Sequence, residues 1–337
     1  MLRPLRIAIT TGDTDGIGSE IVAKALQRLK PQRGVQFYVW RSHSCPERDL
    51  RRLSSAFRRT VVSSWPEALK ADTHSYKDLI DIRSSQSPAH WVETCAQAAM
   101  FGHLDAIATA PLSKTEIINA GFHDIGHTEI LRRVAQVNST HMAFVGAKFN
   151  VVLATGHLAL REAIHQLDAE TLVAAVQAAQ NLSALLPGQN GKRPLALMGL
   201  NPHASENGLL GNEEREIYLP AIERLNREKV NVVGPLVPDA AFREENWRQY
   251  SVFIAPLHDM GLIPFKMVHA KRGGVHITLG LPFVRTSVDH GTAKNIYGKN
   301  IADASSMLEA LRWALRLVKS KAVLNATLPA NKKGKRL

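Results

Sequence analysis

Two cysteines, Cys45 and Cys95, carry all the thiol chemistry in 337 residues. Their number and spacing exclude both a disulfide framework and a thiolate metal site. Cys95 falls in a helix-like apolar pattern and reads as a buried free thiol, so neither cysteine is assigned chemistry. Long apolar runs are missing as well: no stretch approaches the about 18 consecutive apolar residues of a membrane span. The start, Met1 to Thr11, has two arginines and a short strand-like segment where a secretory signal would have an apolar core. A cytoplasmic protein without a membrane-spanning segment is expected. Internal repeats are absent, and so is low-complexity sequence beyond a basic tail. What remains, 45% hydrophobic and 21% charged residues, is ordinary globular composition. The length exceeds what one simple core needs, which predicts two α/β lobes.

Acidic residues are in short supply, 30 against 42 Lys and Arg, for a formal charge of +12. Two patches carry much of the excess: Arg41 to Arg59, with six arginines, and Asn331 to Leu337, with four basic residues. Nucleic acid is the partner class such patches raise. Neither has interleaved aromatics or a nucleic-acid motif, so we read a solvated face and a disordered tail over 328–337. Excess positive charge also suits an enzyme that attracts phosphorylated or carboxylated substrates.

Strand-like and helix-like runs alternate throughout: Leu5 to Thr10 then Glu20 to Leu29, Leu195 to Leu200 then Glu213 to Arg227, Ser251 to Ala255, and a last helix near Ser305 to Ala322. That alternation predicts a mostly parallel sheet covered by helices. Helical spacing over Asp168 to Leu186 predicts a further helix.

Three of the 14 histidines stand apart from the rest. His157, His203 and His258 each sit in a turn-like cluster after an apolar, strand-like run: Val151 to Ala154, Leu195 to Leu200 and Val252 to Ala255. Strand ends in open α/β sheets are where ligands bind. Three neutral imidazoles would hold one divalent ion and leave positions open for substrate, as a catalytic metal requires.

Other polar segments surround these. Thr11 to Glu20 joins the first strand to the first helix. Its glycines, Gly12 included, allow close ligand approach, and the helix start offers amide donors to an anion. The spacing differs from the dinucleotide fingerprint, and a purely structural turn fits this segment equally well. Gly126-His127-Thr128-Glu129 precedes a helix over Ile130 to Ala135; these residues could hold phosphate or carboxylate oxygens, or Thr128 could simply cap the helix. Arg285 could make a two-point contact to an oxyanion. Lys266, eight residues after His258, offers a point charge or a proton-transfer group.

In order and spacing, these segments from Ile7 to about Leu317 resemble the 4-hydroxythreonine-4-phosphate dehydrogenase family. The resemblance implies an isocitrate/isopropylmalate-dehydrogenase-like fold of two α/β/α lobes with the active-site cleft between them. It divides the chain at 1–115 plus 263–337, the cofactor side, and 116–262, the metal, substrate and dimerisation side. His157, His203 and His258 would bind a divalent metal (Zn, Mg, Mn or Co) in a cleft completed by both subunits of a homodimer. His127, Thr128, Lys266 and Arg285 would contact a phosphorylated small-molecule substrate. His276 takes the place of a substrate-contacting asparagine, and Asp239 matches a cleft aspartate proposed for proton transfer together with Lys266. The cofactor, NAD or NADP, would meet Gly12, Asp13, His290, Gly291, Thr292 and Asn295. NAD-preferring relatives carry an acidic residue at the Asn295 position, which repels a 2′-phosphate. With that charge absent and Lys294 adjacent, weak discrimination or an NADP preference follows.

The implied reaction is metal-dependent, NAD(P)-linked oxidative decarboxylation of 4-phosphohydroxy-L-threonine to 3-amino-2-oxopropyl phosphate, in pyridoxal phosphate synthesis. Departures from the family pattern leave another reading open. Thr11, Thr14, Asp15 and Ser19 replace prolines and an alanine, while Leu257 and Met260 replace a tyrosine and a glutamine beside the metal. His276 and the non-glycines Ser205 and Asn207 change the substrate surroundings. These fit a paralogue acting on a 4-phosphorylated threonate or erythronate, or a catalytically impaired relative retained for binding.

Overall fold

The computed structural model describes residues 3–71, 75–187, 192–269 and 273–327. The expectation for the basic tail over 328–337 lies outside the described residues. Two compact units divide the chain: Met1–Thr140 with Leu281–Leu337, and His141–Gly280. In chain order the first unit runs β1 (Leu5–Thr10), α1 (Gly18–Leu29), β2 (Val35–Ser42), α2 (Glu47–Ala56), β3 (Arg58–Val62), α3 (Trp65–Lys70), β4 (Asp78–Ser84), α4 (Pro88–Met100), β5 (Ala106–Thr109), α5 (Lys114–Asn119) and α6 (His127–Ala135). The second contains β6 (His141–Val145), β7 (Asn150–Leu153), α7 (Leu160–His165), α8 (Ala169–Leu185), β8 (Leu195–Met198), α9 (Leu219–Arg227), β9 (Val232–Leu236), α10 (Pro238–Ala241), β10 (Phe253–Ala255), α11 (His258–His269) and β11 (Val275–Leu279). The chain then returns to the first unit with β12 (Val284–Ser287) and α12 (Ser305–Thr327).

In the first unit the strands lie in the order β3-β4-β2-β1-β5-β12, each parallel to its neighbour. Parallel strands are buried on both faces, which is why β1 centres on Ile7-Ala8-Ile9 and β5 on Ala106-Ile107-Ala108. In the second unit the order is β11-β6-β7-β10-β8-β9. There β6 is antiparallel to both neighbours, and β7, β10, β8 and β9 are mutually parallel. The mostly parallel sheet expected from the alternating pattern is present in both.

Local chemistry explains the helix starts. Asp168 accepts from the Thr171 N–H at 2.7 Å to cap α8, and Ser87 with Pro88 opens α4. Helix α6 stays with the first unit because Ile130 and Leu131 share a core with Trp91, Ile80 and Ala8. Helix α11 stays with the second because Leu262 and Phe265 pack with Phe144, Phe253 and Val151. The divisions therefore fall at Thr140/His141 and Gly280/Leu281, later than the joints at 115/116 and 262/263 read from the sequence. Cys95 is fully buried on α4, as its apolar setting indicated.

The arginine run is only in part the solvated face expected of it: Arg51 and Arg58 are exposed, while Arg41, Arg52 and Arg59 are drawn into ion pairs. Arg41 and Arg59 share the buried Asp81, at 2.7 and 2.6 Å, and Arg58 pairs with Asp78 at 2.6 Å. Arg52 meets Asp49 at 3.0 Å. A buried carboxylate such as Asp81 requires cations around it, because leaving it alone in low dielectric is very unfavourable. Arg41, Arg58 and Arg59 tie β2 and β3 to β4, whereas Arg52 pairs within α2.

Candidate active site

Three adjacent parallel strands of the second unit, β7, β10 and β8, lead at their carboxyl ends to His157, His258 and His203. The turns after β7 and β10 are clamped: the Thr155 N–H and Oγ1 both donate to the Pro256 carbonyl, at 3.2 and 2.7 Å. That clamp sets the His157 and His258 rings 4.8 Å apart. His258 opens α11, and its Nδ1 lies 2.7 Å from Asp259 Oδ1. A carboxylate at Nδ1 fixes the tautomer and leaves the Nε2 lone pair for a ligand, as at metal-binding histidines generally.

His203 is exposed and behaves differently. It begins a run of five non-glycine residues in the left-handed region, with φ of 52°, 50°, 66°, 45° and 58° from His203 to Asn207. Each such L-residue costs roughly 1–2 kcal/mol. Ser205 and Asn207, which stand where the resembled family has glycine, are within this run. Among the described residues no three His, Cys, Asp or Glu side chains are gathered to hold an ion. One chain thus brings together two of the three expected ligands. The pair fits a divalent ion by donor type and by the Asp259 support; the third donor is not in place beside them.

The remaining candidates of this unit are spread out. Asp239 is exposed in α10, which packs against the His203 turn. Lys266 is exposed on α11, about 12 Å along the axis from His258 at 1.5 Å per residue. His276 is half-buried on β11 and stacks on Phe144, centroids 5.0 Å apart at 23°.

In the first unit Arg285 and Asp13 are buried, while His127 and Thr128 are half-buried. Arg285 on β12 is 2% exposed and donates to Thr109 Oγ1 at 2.8 Å. Thr109 in turn donates to Ser287 Oγ at 3.2 Å. His127 is the first residue of α6 after the extended Gly126, with Thr128 next to it. Burial, reinforced by the Arg285 guanidinium, lowers the His127 pKa to about 3, so its ring is neutral at ordinary pH. Burial lowers Arg285 to about 10, against the pull of Glu129, and leaves it cationic. A buried cation, a neutral imidazole and a helix start in one place make a receptor for oxyanions.

The glycine-bearing loop after β1 is tightly built. A Cβ on Gly12, whose φ is +66°, would lie 1.9 Å from the Pro111 carbonyl oxygen, so only glycine fits there. Asp13 is buried and accepts from the Ser113 N–H at 2.8 Å. The Ile17 N–H donates to the Thr292 carbonyl at 3.0 Å, joining this loop to the segment of His290, Gly291, Thr292 and Asn295. Gly291 and Asn295 are exposed, while His290 and Thr292 are half-buried. Lys294 is 2.8 Å from Asp15 and 3.2 Å from Asp13. The Asp15 hydrogen bond raises the lysine pKa above its ordinary value.

Sequence reading missed several supporting residues. Thr109 and Asp81 act through strand pairing and carry no local signal. Asp259, next to His258, and Glu214, whose carboxylate binds the chain before His203, were open to detection as acidic residues near candidate ligands.

Fold and chemistry together define a class: an α/β protein of mostly parallel sheet, with imidazoles at strand ends in one unit and a buried arginine in the other. The fold is shared with a beta-decarboxylating dehydrogenase from Thermococcus kodakarensis, at 12% identity and TM-score 0.54 over 95% of this chain and 89% of that one. The family described as pyridoxal phosphate biosynthetic protein PdxA matches residues 52–314. A 4-hydroxythreonine-4-phosphate dehydrogenase from Sulfurihydrogenibium is 35% identical over 93% of this chain and 98% of its own length. A D-threonate 4-phosphate dehydrogenase from Bordetella bronchiseptica is 33% identical over 92% of each chain. The crystal structure of 4-hydroxythreonine-4-phosphate dehydrogenase from Klebsiella pneumoniae is similar at 29% identity and TM-score 0.76, over 94% of this chain and 98% of that one. The chain belongs to the PdxA family, and it is an oxidoreductase. Among the described residues no helix is long and apolar enough to cross a membrane.

Proposed function

We propose that this enzyme oxidises and decarboxylates a phosphorylated 3-hydroxy acid, 4-phosphohydroxy-L-threonine, to 3-amino-2-oxopropyl phosphate. The observation that carries the reading is the buried Arg285 beside the neutral His127 at the start of α6, a receptor that matches a dianionic phosphate or a carboxylate. Arg285 supplies charge and two-point geometry. His127 supplies a hydrogen bond without competing charge, and Thr128 adds a hydroxyl. Lys266 neutralises a second anionic group and, with Asp239, is the candidate for moving the proton of the carbinol. Fixing the substrate's anionic groups lowers the barrier by positioning alone.

Gly12, Asp13, His290, Gly291, Thr292 and Asn295 would hold a nicotinamide cofactor, NAD or NADP, which would supply the hydride acceptor for oxidation of the carbinol carbon. The product is a ketone β to the carboxylate, which loses CO₂ as an enolate and is then protonated. His157, His258 and His203 would hold a divalent ion, Zn, Mg, Mn or Co; when bound, it would supply Lewis-acid stabilisation of the charge on the oxygen. Two ligands meet within one chain, and a second copy of the chain in a homodimer would complete the set. Large apolar side chains exposed close in sequence to each histidine support that: Leu160 at 64%, Leu209 at 82% and Ile263 at 59%.

Lys294 is neutralised by Asp15 and Asp13, and Asn295 lacks the charge that would repel a 2′-phosphate. Together they support weak discrimination between NAD and NADP, with efficiencies within about tenfold. The second reading, a 4-phosphorylated threonate or erythronate, is favoured by His276, whose ring stacks on Phe144 where the resembled family has a smaller amide. The deciding experiment assays purified enzyme on both substrate types, each with NAD and NADP and with Zn, Mg, Mn or Co. Turnover of the threonine derivative at least tenfold above the others supports the first reading. Preference for the threonate or erythronate moves the assignment to the second, and no turnover with any pair removes both.

A further inference from the structure

The left-handed turn that starts at His203 needs something to hold it. Five consecutive residues there adopt a backbone that L-side chains disfavour. The hold comes from one buried carboxylate outside the turn. Glu214 is 3% exposed and lies at the start of a π-helical turn, Glu214–Tyr218. Its Oε1 accepts from the N–H groups of Leu200 and Asn201, each at 2.8 Å. Its Oε2 accepts from Asn201 Nδ2 at 2.8 Å. Asn201 passes the constraint on: its carbonyl accepts from the Ala204 N–H at 3.0 Å, and its Nδ2 also donates to Glu213 Oε2 at 2.8 Å. The packing leaves little slack. A Cβ on Gly199 would stand 3.2 Å from Glu214 Oε1, and one on Gly211 only 2.6 Å from Glu213 Oε2.

We infer that Glu214 is a positioning residue for His203. It does so by fixing the two residues at which the chain leaves β8, without contacting the imidazole. The π-turn suits this role, since an extra residue in one helical turn re-aims a side chain and recurs at functional sites. Ser205 and Asn207 make the dependence stronger in this chain, because glycine would take up their backbone at no steric cost. The inference rests on the reading of His203 as a metal ligand.

The test is Co(II) titration of the purified protein followed by visible absorption, with no substrate or cofactor present. His203→Ala defines loss of the ligand. Glu214→Ala is expected to weaken Co(II) binding about 10- to 100-fold, the range found when support of a ligand is removed. Glu214→Gln, which keeps Oε1 as acceptor, is expected to weaken it less and serves if the alanine variant does not fold. Ser205→Gly with Asn207→Gly should restore part of the loss in the Glu214→Ala background. Amide hydrogen exchange at Leu200 and Asn201 should quicken in Glu214→Ala. Wild-type Co(II) affinity in both Glu214 variants, with His203→Ala impaired, overturns the inference alone. Unchanged affinity in His203→Ala removes the metal reading beneath it, and the inference with it.

Discussion

The two units treat their candidate residues in opposite ways. In the first, Arg285, Thr109, Ser287 and Asp13 are buried and hydrogen-bonded to one another or to backbone. In the second, His157, His203, Asp239 and Lys266 are exposed, and two of the three proposed ligands meet. In our proposal the difference follows from what each would bind. An oxyanion receptor can be finished in advance, because a guanidinium kept from water by its neighbours stays charged and oriented. A cluster of bare imidazoles is completed only when a cation, and in our proposal a second chain, draws the ligands in.

The largest effect that would sharpen this contrast is expected from the second unit. His258→Ala should lower kcat/KM by about 10³-fold or more, since a Lewis acid contributes several kcal/mol to the transition state. Retained activity after chelation and in this variant would leave the histidine pair without a catalytic part. Next comes Arg285→Ala, expected to lower kcat/KM on the phosphorylated substrate about 10²-fold with the melting profile checked alongside. Arg285→Lys should recover only part, because an ammonium cannot make the planar contact. A smaller change is predicted for Asp259→Asn, about 10-fold weaker metal binding by titration, because His258 loses the carboxylate that sets its tautomer.

The pH response separates the units further. Burial holds His127 at about 3 against 6.5 for the free ring, so folding favours its neutral form. Its contribution to stability is full above pH 6.5 and is lost as the pH falls from there toward 3. His127→Asn should therefore make the acid side of the stability profile shallower, measured by urea unfolding from pH 7 to 4. An unchanged profile would mean that the ring is not held neutral. The smallest effect is expected at the arginine run: salt-dependent retention on DNA should be weak and should not depend on Lys332 to Leu337. Strong retention lost on that deletion would favour a nucleic-acid partner.

How far these features could be read in the sequence depended on distance along the chain. The histidines were visible because each follows its own strand, and the parallel order β7-β10-β8 puts the three strand ends side by side. Helix α8 was visible from its Asp168 cap and apolar spacing. The partners of the arginines were not, because Asp78 and Asp81 reach Arg41, Arg58 and Arg59 only through pairing of β2, β3 and β4. The left-handed backbone at Ser205 was equally hidden, since serine does not announce a positive φ, whereas Asn207 is of a type that tolerates one. Lys294 stands beside Asn295 in the sequence, but its partner Asp15 is on another loop and meets it only through the fold.

The most direct measurement follows CO₂ release and nicotinamide reduction together, on 4-phosphohydroxy-L-threonine, in metal-stripped enzyme before and after a divalent ion is added back. Our reading predicts little of either before addition, then equal amounts of both, and almost none with the unphosphorylated analogue. Reduced cofactor without CO₂, or equal turnover with and without the phosphate, would contradict it.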